Sequence, residues 1–146
     1  MHRHGHGLMP TILLIDDEPA TRQLVSLLLQ HQGFRVLTAA DGQEGLQAAA
    51  LQIPDVILLD LMMPKLHGHD VMRQLRRDPL TRDILIIVLT ARGGDQDVAE
   101  SLRLGAVSHL EKPYEVEELL RRIQAALSLR HGDALDLVSH ATSHGR

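Results

Sequence analysis

Four places in this chain carry side chains that could together handle a phosphoryl group. Asp16 and Asp17 follow the apolar run 12–15, Asp60 follows 56–59, Thr90 follows 84–89, and Lys112 stands just past a short run ending at Leu110. Carboxylates held close together repel, so such a group must share a proton or bind a cation. With no cysteine in the chain and no histidine at these positions, the donors are all oxygen, which favours Mg2+ over zinc. Mg2+ keeps several waters, so a few protein oxygens suffice. Thr90 can donate a hydrogen bond to a phosphoryl oxygen, and Lys112 can meet phosphate as a point charge. A carboxylate nucleophile, a divalent cation, a hydroxyl donor and an ammonium are the parts needed to move a phosphoryl group onto an aspartate.

These residues can converge only if the apolar runs are neighbouring strands. Short, continuous aliphatic runs read as strands buried on both faces, the mark of a parallel sheet. Ligands of open parallel sheets gather outside the carboxyl ends of the strands, where all of these residues fall. The segments between the runs read as helices. Pro19 suits a first turn, Leu24, Leu27 and Leu28 give an apolar face, and Gly33 suits a helix end. A weaker strand over 34–38 follows. Asp41 and Glu44 have capping-box spacing and open a helix running to 51. After a strand over 55–59, helices are expected over 68–76 and 95–104, the second stopped by Gly105. Strands are expected over 84–89 and 107–110. The last helix, 115–129, has Leu119, Leu120, Ile123, Ala126 and Leu127 on one side. Strict alternation with right-handed crossovers gives a doubly wound α/β sheet.

The bulk numbers agree with one such domain. The chain has 146 residues and 44% hydrophobic content, with Phe34 and Tyr114 as its only aromatics, so the core must be aliphatic. A net charge of −4 offers no basic field for direct nucleic-acid contact. The absence of cysteine, of a signal-like apolar start and of any membrane-length apolar run leads to the expectation of a cytoplasmic protein without membrane contact.

The set Asp16-Asp17, Asp60, Thr90-Ala91 and Lys112-Pro113 resembles the receiver domain of two-component response regulators. Asp60-Leu61-Met62-Met63-Pro64 followed by Gly68, Ala39-Ala40-Asp41-Gly42 and Leu104-Gly105-Ala106 match the same pattern. The resemblance covers about 11–129. It implies a flavodoxin-like, five-stranded sheet of order 2-1-3-4-5 and a phosphorylation-dependent switch. It implies Asp60 as the phospho-acceptor, with Asp17, Asp60 and the Met62 backbone carbonyl as Mg2+ ligands and Asp16 acting through water. It implies Thr90 as the switch hydroxyl, Lys112 as the phosphate-binding lysine, and a cis Lys112-Pro113 peptide. The implied donor is a sensor histidine kinase or histidine phosphotransfer protein, and output runs through helix 4, strand 5 and helix 5. The domain itself would not be an enzyme beyond slow self-dephosphorylation.

Some positions depart from the family pattern. His109 stands where the family often has a switch aromatic, and its imidazole can fill a similar slot. Val107 and Ser108 replace the acidic residues that DNA-binding members use for dimerisation, although Arg122 resembles their basic partner. Met62 and Arg92 should flank the phosphate and tune its lifetime. Residues 1–10 are expected to be a disordered leader and 130–146 a tail too short for an output domain, so output would pass to a downstream protein partner. The alternative from another class is a Mg2+-dependent aspartyl-phosphate phosphatase of the haloacid-dehalogenase type. That family wants two aspartates two apart after the first strand, whereas Asp16 is followed at that spacing by Glu18.

Overall fold

A computed structural model describes residues 9–63, 67–91 and 93–130. The expected leader, apart from its last two residues, Arg92, and all of the tail beyond Arg130 lie outside this range. Five strands and five helices alternate: β1 Thr11–Ile15, α1 Pro19–His31, β2 Arg35–Ala39, α2 Gly42–Gln52, β3 Val56–Asp60, α3 Gly68–Arg77, β4 Leu85–Thr90, α4 Asp95–Arg103, β5 Ser108–Glu111 and α5 Val116–Arg130. Most bounds fall within one residue of the expected ones. The strands pair in parallel in the order β2-β1-β3-β4-β5. Among the described residues, no helix is long and apolar enough to cross a membrane.

Every residue of β1 and β3 is buried, in keeping with strands that are aliphatic apart from Thr11 and Asp60. Alternate side chains feed two cores. Leu13, Ile15, Ile57, Leu59, Ile86 and Val88 pack with Ala49 of α2 and with Val71, Met72 and Leu75 of α3. Ile12, Leu14, Val56, Leu58, Ile87 and Leu89 pack with Val25 and Leu29 of α1 and with Leu119, Ile123, Ala126 and Leu127 of α5. Phe34 joins this second core and Tyr114 packs at its edge, so aliphatic side chains fill nearly all of the interior.

The α1 face is a correction. Leu24 and Leu27, expected inside, are each 59% exposed, while Val25 and Leu29 are buried. The run Leu24-Val25-Ser26-Leu27-Leu28-Leu29 is apolar around most of the helix, so its composition names no single face.

Local chemistry sets the helix ends. The Glu44 amide donates to Asp41 Oδ1 at 2.9 Å, and Glu44 Oε1 accepts from the Ala40 amide at 2.8 Å. Gly105, at φ +96°, ends α4 in a conformation that a β-carbon disfavours. The α2 end lacks glycine, and Ile53 takes the left-handed conformation instead, at φ 43°.

Arg76 ties this frame together. Its guanidinium donates to the carbonyls of Leu104, Arg82, Ile84 and Gly105 at 2.7–3.2 Å. Burial pulls its pKa down and Asp83 pushes it back up, with a net lowering. Replacing Arg76 by Leu strands those carbonyls. The expected loss is about 2–3 kcal/mol of unfolding free energy, read by urea denaturation.

Candidate functional site

The strand register brings the acids together. β3 lies between β1 and β4, so the end of β1, which runs into Asp16, is next to Asp60, the last residue of β3. Asp60 pairs with Leu89, which places Thr90 one step beyond it on β4. β5 is the edge strand beside β4, and the Lys112 amide donates to the Thr90 carbonyl at 2.7 Å, anchoring the lysine as it leaves the sheet. Carboxylate oxygens of Asp16, Asp17 and Asp60 all lie within 4.8 Å of one another.

The Asp16-Asp17 doublet divides at the strand end. Asp16 is fully buried and both of its oxygens are engaged: Oδ1 accepts the Glu18 amide at 2.9 Å and Oδ2 accepts from Lys112 Nζ at 3.3 Å. Asp17 is exposed. Asp60 is 2% exposed, with Oδ1 accepting the Met62 amide at 2.9 Å and Oδ2 accepting from Lys112 Nζ at 3.0 Å. One ammonium thus spans two buried carboxylates.

Burial pushes the Asp16 carboxyl above its ordinary value. The Glu18 amide and Lys112 pull it partly back, and Asp60 pushes it up again. Burial also works against the Lys112 ammonium, but the two carboxylates outweigh it and raise its pKa. The pocket keeps its lysine charged and carries surplus negative charge, which is a fit for a hard divalent cation.

Thr90 is buried at the pocket's edge. The Lys112-Pro113 peptide is cis. Met62 is 57% exposed and, with Leu24, Leu28, Lys112, Pro113 and Tyr114, lines an open groove of about 640 Å³ beside the acids. Motif reading gives Tyr114 no role, although its place two residues past Lys112 is the signal that puts it here. His109 is half-buried on β5, its carbonyl accepting from Arg122 Nη1 at 2.9 Å. Arg122 spends the rest of its guanidinium on Ser108 Oγ and Glu118, both within its own domain. Arg92 lies outside the described residues.

Comparison with known proteins gives one answer. The family model described as the response regulator receiver domain matches residues 12–124. The chain is 49% identical over 120 residues to the DNA-binding dual master transcriptional regulator RpaA of Synechocystis sp., a match covering 82% of this chain and 49% of that protein. The chain therefore spans about half the length of the curated relatives it matches. Among solved structures, the chemotaxis protein CheY4 of Vibrio cholerae superposes with a TM-score of 0.77 at 35% identity, covering 81% of this chain and 98% of that one. The receiver domain of the sensor histidine kinase PA1611 of Pseudomonas aeruginosa superposes at 0.75 and 32% identity, covering 82% and 98%, and holds a magnesium ion in its active-site cleft. None of these matches supports the phosphatase alternative. The matched span includes every strand-end residue of the acidic pocket from Asp16 to Lys112, and the chain belongs to the response regulator receiver domain family.

Proposed function

We propose that this domain is switched by phosphorylation of Asp60, with Mg2+ bound beside it, and that the phosphoryl donor is a sensor histidine kinase or histidine phosphotransfer protein. The observation that carries the reading is the single ammonium of Lys112 bridging two buried strand-end carboxylates, with a third carboxylate within 4.8 Å. The division of the doublet supports distinct roles. Asp17, exposed, would offer its oxygen to the cation, as would Asp60 and the Met62 carbonyl, whereas Asp16, already occupied by Glu18 and Lys112, would act through water. A bound Mg2+ would neutralise charge on the transferring phosphoryl oxygens.

In the transfer, an Asp60 oxygen forms a bond to phosphorus as the donor's bond to phosphorus breaks, giving an acyl phosphate. Lys112 leaves its carboxylate contact to meet a phosphoryl oxygen, and Thr90 donates to another. These contacts exist only in the phosphorylated state, so they can bias the domain between two conformations. His109 shares an open cleft with Glu111, Tyr114, Glu118 and Arg121, which suits the α4-β5-α5 face to a downstream protein partner. The apolar groove beside Lys112 suits contact with a protein donor. Turnover beyond slow self-dephosphorylation and direct nucleic-acid binding by this domain form no part of the reading; a cytoplasmic location does.

Incubation with acetyl phosphate and Mg2+ tests it. Intact mass should rise by one phosphoryl group in the wild type and not in Asp60→Asn. Steady release of phosphate from a small ester, or equal labelling of Asp60→Asn, overturns it. Met62 adds a second test: its exposed thioether beside Asp60 should hinder water, while Asn can orient it. The acyl phosphate of Met62→Asn should decay several-fold faster, followed by loss of the added mass over time.

A further inference from the structure

A second cluster of ligating side chains lies where α3 meets α4. One ligand atom from each of His67, His69 and Asp97 lies within 4.8 Å of the others. The two imidazoles are 4.9 Å apart between centroids and inclined at 44°. We propose that His67, His69 and Asp97 form a cation site, independent of the acidic pocket, that takes a borderline divalent transition ion of the zinc class.

The hydrogen bonds set the tautomer such a site needs. His69 is 7% exposed, and its Nε2 lies 3.1 Å from the Asp97 carbonyl oxygen and 3.0 Å from Ser101 Oγ. A carbonyl oxygen only accepts, so Nε2 must carry the proton. The Ser101 hydroxyl already donates to the same carbonyl at 2.8 Å, so it too is free to accept from Nε2. The lone pair of His69 therefore sits on Nδ1. A ring nitrogen proton held by a backbone carbonyl is the usual outer support of a metal-bound histidine. His67 also has its lone pair on Nδ1, where it accepts the His69 amide at 3.1 Å. Metal binding there exchanges an amide contact for a metal–nitrogen bond.

Asp97 completes the set. Arg73 of α3 is held by Asp70 and Glu100. Two imidazoles and one carboxylate suit zinc-class ions better than Mg2+. Bonds of roughly 2.0–2.2 Å put tetrahedral ligand atoms about 3.4 Å apart, so from separations of at most 4.8 Å the cluster needs to contract by no more than about 1.4 Å. His67 is exposed and Asp97 half-exposed, so both have room to move towards the fixed His69 ring. Water would fill the remaining position. A bound ion would clamp the first turn of α3 to the first turn of α4, the helices that follow Asp60 and Thr90.

The test uses the full chain with His2, His4, His6, His131, His140 and His144 changed to Asn, and with Mg2+ saturating the acidic pocket. Zn2+ is titrated while the imidazole 15N signals are followed by NMR. One equivalent should shift the ring nitrogens of His67 and His69 and leave His31 and His109 unmoved. His67→Asn and Asp97→Asn, both at accessible positions, should each weaken Zn2+ binding at least tenfold while the fold, read by backbone shifts, is kept. Unmoved His67 and His69 signals at stoichiometric Zn2+, or equal affinity in both variants, would show that His69 is only a structural staple between the helices and overturn the proposal.

Discussion

Lys112→Met should slow phosphoryl transfer from acetyl phosphate by about 100-fold or more, the scale on which a single stabiliser of developing charge acts in phosphoryl and acyl transfer. The same variant should bind Mg2+ more tightly. In the resting protein the ammonium sits 3.0 Å from Asp60 and 3.3 Å from Asp16, where it offsets the charge a cation would feel. A unit charge a few ångströms away at an effective dielectric of about 20 is worth a few kcal/mol, so even after solvent relaxation a roughly tenfold gain in affinity is expected. Lys112 is 31% exposed at its side chain, which keeps the figure at that modest end. Tighter binding of the metal with slower chemistry separates the two roles of one residue. Calorimetric Mg2+ titration and a mass time course read them independently. A Lys112→Met protein labelled at the wild-type rate would mean that the ammonium never reaches the phosphoryl group.

Asp16→Asn should raise stability without Mg2+, and saturating Mg2+ should cancel most of that gain. Burial holds the Asp16 carboxyl above its ordinary value of 3.8. The folded protein therefore binds this proton more tightly than the unfolded chain does. The resulting stabilisation is complete below about pH 3.8 and is lost as pH rises through the elevated folded value. At neutral pH the ionised side chain is a cost that Asn removes, about 1–2 kcal/mol, while an amide oxygen can still accept the Glu18 amide. The gain should vanish in acid, where Asp16 is protonated in both states. Saturating Mg2+ adds stability with the logarithm of its affinity, and loss of the Asp16 charge should cost about tenfold in that affinity, or about 1.4 kcal/mol, which offsets most of the gain. Urea midpoints at several pH values, with and without Mg2+, check the gain and its cancellation. A variant less stable than wild type in metal-free neutral buffer would contradict the argument.

Much of this architecture was legible because β1 and β3 bury both faces, so their aliphatic runs 12–15 and 56–59 are broken only where Asp16, just past β1, and Asp60, the last residue of β3, mark the strand ends. The Asp41–Glu44 box and Gly105 were equally local signals. What escaped were features decided by packing. The all-round apolar character of α1 hid which leucines face outward. The four carbonyls held by Arg76 come from separate segments that no spacing links. The split between a buried Asp16 and an exposed Asp17 depends on where the sheet ends relative to its neighbours. His67 and His69 belong to no motif in the sequence, and only the packing of α4 brings Asp97 beside them.

The scarcity of aromatic residues has a practical use. Tryptophan is absent and Tyr114 is the sole tyrosine, so the intrinsic emission of the whole chain comes from one phenol. That phenol borders the same groove as Lys112 and Met62. Its fluorescence should therefore respond to occupancy of the acidic cradle with no background from elsewhere, giving an unlabelled optical readout of switching built into the wild-type molecule.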